Sequence, residues 1–248
     1  METRLQFEIL PQPDDTTCGP TCLHAVYAYY GAEVSLESVI RETTRLEEGG
    51  TLAVMLGCHA LRRRFQATIF TYNLQVFDPT WFVPEAQPLA EKLAAQAAAK
   101  ESRKLRTATA AYLEFLQLGG VIRMEDLTTG LIRKYLKREI PILTGLSATY
   151  LYRNAREFGP NSDSDDVRGR AAGHFVLLCD YDPASRGVLV ADPLMPNPLA
   201  PRQSYVLSVD RVVCAILLGI LTYDANLLII EPRKQPERSR CADPDRSQ

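Results

Sequence analysis

Four segments in the second half of the chain, ILTGLSATYLY, HFVLLCDYD, GVLVAD and NLLIIEP, are rich in branched and aromatic residues and bounded by turn formers, the composition of strands. The first half instead carries apolar residues at helical spacing. Helices first and strands later is the signature of an α+β fold, with a C-terminal antiparallel sheet packed on helices. At 248 residues and 46% hydrophobic content the chain can bury one sizeable core. A single domain over residues 1–232 is therefore expected, with 233–248 as a frayed tail.

In CGPTCLHAVYAYYG, Cys22, Leu23, Val26, Tyr27 and Tyr30 recur at helical intervals and Gly31 supplies a stop, which predicts a helix over Cys18 to Tyr30. Further helices are expected over Leu36 to Thr43, over Leu52 to Arg63 with Thr51 as N-cap, and over Glu125 to Arg138. A strand is expected over Gln66 to Tyr72. Between Pro84 and Leu118 the composition shifts to Ala, Lys, Glu and Leu. That segment reads as a helical insertion, about residues 84–120, which packs through Tyr112, Phe115 and Leu116. FGPNSDSDDVRGRAAG is too polar for core, and is a surface loop delivering the chain to His174.

A net charge of −2 with scattered basic residues gives no electrostatic basis for nucleic-acid or membrane-surface partners. METRLQFEILP places charges where a secretory signal would be apolar. The longest apolar run, Val212 to Leu221, falls short of the roughly 18–20 residues of a spanning helix. No membrane insertion is expected, and the expected location is the cytoplasm, where thiols stay reduced. Cysteines at 18, 22, 58, 179, 214 and 241 show no paired CxxC knuckles, so neither a disulfide framework nor a structural zinc site is indicated, and no cofactor is expected.

The stretch Gln12-Pro-Asp-Asp-Thr-Thr-Cys18-Gly-Pro-Thr-Cys22 carries the chemistry. A cysteine in the first turn of a helix points its sulfur at unpaired backbone N–H groups and the positive end of the dipole, which favours a nucleophilic thiolate. Gly19 is expected to give a substrate room, and Pro20 tolerates an early helical position. Gln12, six residues earlier, is placed to donate with the Cys18 N–H to the oxyanion of a tetrahedral intermediate. A base is also required, and only His24, His59 and His174 exist. His24 lies about 9 Å further along the Cys18 helix, on another side. His59 stands before an Arg run and reads as structural. His174 opens an apolar strand and Asp192 closes the next one, so an antiparallel pair can set imidazole and carboxylate side by side. Asp192 is preferred to Asp180 and Asp182.

QPDDTTCGPTCL together with GHFVLLCDYDPASRGVLVADP resembles the bacteriocin-leader peptidases, papain-like enzymes that cut after double-glycine leaders, and their free-standing bacterial relatives. The resemblance covers about residues 8–72 and 124–232. It implies a papain-like fold, with Cys18 as nucleophile, His174 as base, Asp192 as its orienter, Gln12 as oxyanion donor, and a peptide or protein as substrate. The chain departs from the transporter-attached peptidases in its longer Cys-to-His interval and in having no GxxxxGK[ST] phosphate loop. Hydrolysis of a peptide or amide bond is thus the expected activity. Deamidation or acyl transfer on the same fold, a non-catalytic binding module, and metal binding through Cys18, Cys22 and His24 are the alternatives.

Overall fold

The computed structural model describes residues 7–47 and 49–233. Residues 234–248, which hold Cys241 and nearly all of the expected tail, lie outside the described residues, as do the first six. Helices α1 (Cys18–Tyr29), α2 (Leu36–Glu42) and α3 (Ala53–Arg62) lead into strand β1 (Phe65–Thr71). After a 3-10 turn come α4 (Leu89–Ala99), α5 (Arg103–Gln117), the short strand β2 (Val121–Arg123) and α6 (Thr129–Leu136). Strand β3 (Ile142–Ser147), helix α7 (Ala148–Tyr152) and the small strands β4 (Glu157–Phe158) and β5 (Asp163–Ser164) precede β6 (Gly173–Asp182) and β7 (Gly187–Ala191). β8 (Ser204–Ser208), α8 (Val209–Leu218), a second 3-10 turn and β9 (Asn226–Pro232) complete the described chain.

Seven strands form one sheet in the order β2-β1-β9-β3-β6-β7-β8, antiparallel except for the β1–β2 pair. Its central strands are covered on both faces, so they read as unbroken apolar runs rather than as alternation. Along β6, Phe175, Leu177 and Cys179 enter the core shared with α1, α3 and α5, whereas Val176 and Leu178 enter the core under α6, α7 and α8. The expected helical insertion is part of the first core. Leu105, Ala108, Tyr112 and Phe115 of α5 are buried there beside Leu56 and Cys58 of α3, and the chain leaving α5 adds β2 to the sheet edge.

Several expected boundaries shift for local reasons. ILTGLSATYLY is not one strand: Ser147 caps a helix, its hydroxyl accepting from the Tyr150 N–H at 3.3 Å, so the chain turns into α7. α6 starts at Thr129 because the Thr128 hydroxyl accepts from the Leu131 N–H. Thr51 does not cap α3; its hydroxyl donates to the Thr44 carbonyl, and Leu52 holds the cap position. Val212 to Leu221, read only as a run too short to span a membrane, lies within α8 and the turn after it. No helix among the described residues is long and apolar enough to cross a membrane.

Candidate active site

Cys18 is the first residue of α1 and is buried, at 8% exposure. The preceding loop is tied into a rigid turn by Asp14. Its carboxylate accepts from the N–H and hydroxyl of Thr16, at 2.8 and 2.7 Å, and these bonds hold its pKa below the ordinary value. The Asp14 carbonyl accepts from the Thr17 hydroxyl, and the Thr17 carbonyl accepts from the Thr21 N–H inside α1. The polar residues between Gln12 and Cys18 therefore fix how the helix starts. Gly19 has a different purpose from the one expected. It is buried, and a β-carbon there would come 2.8 Å from Thr51 Cγ2 and 3.1 Å from the Phe175 ring. Its missing side chain lets α1 close onto α3 and β6, rather than making room for a ligand.

His174 lies near the start of β6, and its Nε2 is 2.8 Å from Asp192 Oδ1. A β-bulge makes this meeting possible. β6 and β7 pair Tyr181 with Val188 near their turn but Leu178 with Val190 beyond it, a shift of one residue between Leu178 and Asp180. Continued past Leu177 and Ala191, the shifted register sets Asp192 opposite Val176, on the same face as His174. Without the bulge Asp192 would point to the other face. Asp180 and Asp182 take local roles: Asp180 accepts from the Tyr181 N–H, and Asp182 from the N–H groups of Ala184 and Ser185.

Asp192 is fully buried and fully engaged. Oδ2 accepts from the hydroxyls of Tyr152 and Tyr205 at 2.7 and 2.6 Å, and Oδ1 accepts from the Leu194 N–H as well as facing the imidazole. Burial alone would raise its pKa, but the hydrogen bond and charge of His174, with the Tyr205 hydroxyl, bring it down to about 2. Burial, together with the charge of Asp192, raises the pKa of both tyrosines, keeping them as donors. Burial likewise opposes charge on His174. The nearby charge of Cys18 and the hydrogen-bonded carboxylate of Asp192 outweigh it and raise the imidazole well above its ordinary range. With Nε2 committed to Asp192, Nδ1 is left for the sulfur. Neither Tyr152 nor Tyr205 was singled out in the sequence. The one available signal was the apolar and polar alternation around Tyr205, since Tyr152 reaches the site only through the unforeseen α7.

Gln12 is anchored by its backbone N–H, which donates to the Pro193 carbonyl at 2.9 Å, one residue past Asp192. Its side-chain Nε2 donates one N–H to the Asp14 carbonyl at 3.0 Å and retains a second. Gln12 and His174 both line a cleft of about 430 Å³, whose walls include Thr16, Thr149, Tyr152 and Gly173. The polar loop before His174 folds into the β4–β5 hairpin and contributes Glu157 and Ser162 to this cleft. Asp165 of that loop is used internally, accepting from the backbone and side chain of Arg168.

The other candidates lie elsewhere. Cys22 is fully buried, its thiol donates to the Phe175 carbonyl at 3.3 Å, and burial raises its pKa well above the thiol range. His59 bonds the Tyr27 hydroxyl through Nδ1 at 2.8 Å, and its Nε2 stands 3.4 Å from Glu42, an acidic neighbour upstream that the sequence did not suggest. Among the described residues, no three His, Cys, Asp or Glu side chains gather as a metal-binding group.

No protein-family model and no curated relative matches the chain. Among solved structures it is similar to a candidate C39-like peptidase from Bacillus anthracis, at 12% identity and a TM-score of 0.52, over 94% of this chain and 100% of that one. Two further likenesses have TM-scores of 0.43 at 13% identity. One is to the peptidase domain of Streptococcus ComA, a bi-functional ABC transporter involved in quorum sensing, over 92% of this chain and 100% of that one. The other is to a double glycine motif protease from an AMS/PCAT transporter in complex with the leader peptide, over 94% and 96%. The first of these likenesses, to a C39-like peptidase, shows a shared fold. The chain has the α+β fold of the papain-like C39 peptidases, with a large antiparallel sheet beside a helical half.

Proposed function

We propose that the protein is a cysteine hydrolase that cleaves a peptide or amide bond through an acyl-enzyme on Cys18. One observation carries the reading: the His174 imidazole is paired at 2.8 Å with a carboxylate held by two phenols and is raised by the charge of Cys18 at the start of α1, the grouping that thiol catalysis requires. In this mechanism the sulfur attacks the carbonyl carbon. The Cys18 N–H and the second N–H of Gln12 take the developing negative charge. Nδ1 of the His174 imidazolium gives its proton to the leaving amine, whose departure leaves a thioester. The neutral ring then takes a proton from water, the hydroxide attacks the thioester, and carboxylate and sulfur are released. Asp192 keeps the ring oriented and stabilises its charged form throughout.

A peptide or protein is the substrate this reading favours, and a reducing compartment such as the cytoplasm would keep the sulfur competent. The test is mass spectrometry of a lysate incubated with wild type and with Cys18→Ala. New peptide termini that depend on Cys18 are expected. Deamidated sites or amine adducts would transfer the assignment to the other acyl chemistries, and identical lysates would remove it. Iodoacetamide is expected to mark Cys18 and spare Cys22; equal labelling of both overturns the choice of nucleophile.

A further inference from the structure

Asp224 is a second buried carboxyl beside the His174 segment, and the mechanism above does not use it. It is 5% exposed, and it precedes β9 between two residues with left-handed backbone, Tyr223 (φ 70°) and Ala225 (φ 62°). A pair of non-glycine residues in that region is a costly way to turn a chain, and here it drives one side chain inward. The carboxyl sits against the sheet where two glycines, Gly145 of β3 and Gly173 of β6, leave it space. A β-carbon at Gly145 would meet Oδ1 at 2.6 Å, and one at Gly173 would meet Oδ2 at 3.0 Å. Gly173 immediately precedes His174, and Gly145 neighbours Leu146, the residue paired with His174 across β3 and β6. The turn carrying Asp224 thus rests on the backbone that positions the imidazole.

The hydrogen bonds around Asp224 do not suit a carboxylate. Oδ1 is buried without any partner. Oδ2 is 3.0 Å from the Thr222 hydroxyl, but that hydroxyl is also 3.0 Å from the Gly219 carbonyl. Thr222 has one proton for two acceptors. A proton on Oδ2 resolves the conflict: the acid donates to Thr222 Oγ, Thr222 donates to Gly219, and the Asp224 N–H closes the turn by donating to the same Gly219 carbonyl at 3.0 Å. The charged groups facing it are few. Lys104 and Tyr112 approach from α5 and His174 from β6, and none is bonded to it. Burial is the largest influence and raises the carboxyl to about 7, against smaller lowering effects from Thr222, Lys104 and His174.

We infer that Asp224 is held as a neutral carboxylic acid and is a positioning residue for His174, its proton locking the 219–224 turn onto the strands that carry the imidazole. At alkaline pH the proton leaves to solvent, a carboxylate with no donors remains beneath the turn, and the support of His174 loosens. Ionisation of Asp224 then sets the alkaline limit of the activity proposed above, on which this last step rests.

The informative variant is Asp224→Asn, whose amide N–H donates to Thr222 as the acid does but cannot ionise. The alkaline limb of kcat/KM is expected to lie a pH unit or more higher in the variant, by the linkage of rate to the essential protonation state. Superimposable limbs overturn the inference. So does a uniform loss of about tenfold at every pH, because that would mean the ionised form was the one required. Two further readouts need no activity and are made in Cys18→Ala protein. The infrared difference spectrum between that protein and the same protein carrying Asp224→Asn, taken near pH 6, is expected to contain a carboxylic-acid carbonyl band, and a carboxylate band alone rejects the neutral form. Because the folded pKa is raised above the unfolded value near 3.8, stability from this group is complete below that value and declines as pH rises to about 7. The melting temperature of Asp224→Asn relative to its parent should therefore climb between those limits and level off above them; a flat difference counts against the inference.

Discussion

Nε2 of His174 and Oδ1 of Asp192 face each other at 2.8 Å, although the register of their strands would separate them but for one bulged residue. Asp192→Asn keeps the shape and removes the charge, so the ring loses both its stabilised imidazolium and its defined tautomer. In an analogous triad this change costs about 10⁴ in kcat, and a drop of at least 10² is expected here, measured with any substrate that the Cys18 assay identifies.

The two phenols on Asp192 Oδ2 should act as partial substitutes for each other. Tyr152→Phe or Tyr205→Phe removes one donor and leaves the other, at a cost of about 1.5–3 kcal/mol for a hydrogen bond to a charged group. The double variant should lose more stability than the sum of the singles, since it strands a buried oxygen. Denaturant melts of the three proteins check this, and simple additivity would contradict shared support.

The His174–Asp192 pair also predicts how stability follows pH. The imidazole is raised, so its contribution is full below the unfolded value near 6.5 and is lost as pH climbs through the folded one. The carboxylate is lowered to about 2, so its contribution is full above 3.8 and is lost as pH falls towards 2. Both describe one coupled interaction, whose benefit is greatest between about pH 4 and 6.5. The difference in melting temperature between wild type and His174→Ala should be largest in that window.

Close packing around the start of α1 leaves no room for a methyl group. Gly19→Ala places a β-carbon 2.8 Å from Thr51 Cγ2 and 3.1 Å from the Phe175 ring, so these side chains or the start of α1 must shift. Overpacking of this kind costs about 1–3 kcal/mol. Kinetics should fall with stability because the displaced turn carries the sulfur.

Phe115 is fully buried, so Phe115→Ala should destabilise the whole molecule by about 3–5 kcal/mol. A merely appended helical segment would tolerate the change, and a single cooperative melt shifted to lower denaturant tells the two apart.

Much of this architecture is legible before any coordinates. The helix at Cys18 and the strands at His174, Gly187 and Asn226 announce themselves through long apolar patterns, because those elements lie in the doubly covered middle of the molecule. What escapes is short or depends on partners. β2 and β8 are edge strands whose exposed residues dilute the signal, and α7 hides because Tyr, Leu and Ala suit either state until Ser147 caps them. The juxtaposition of His174 with Asp192 follows from chain order only once the bulge is known. Tyr152 and Tyr205 converge on Oδ2 from elements far apart in the chain, a relationship that no local pattern encodes.

β9 is translated after every other described strand, yet it occupies an inner place between β1 and β3. Taking β9 out of the strand order leaves two pieces, β2-β1 beside the cysteine's helical neighbours and β3-β6-β7-β8 with the histidine. Among the described strands β9 is thus the one that joins the two sheet fragments, while α1 ties them a second time, its Cys22 thiol donating to the Phe175 carbonyl of β6.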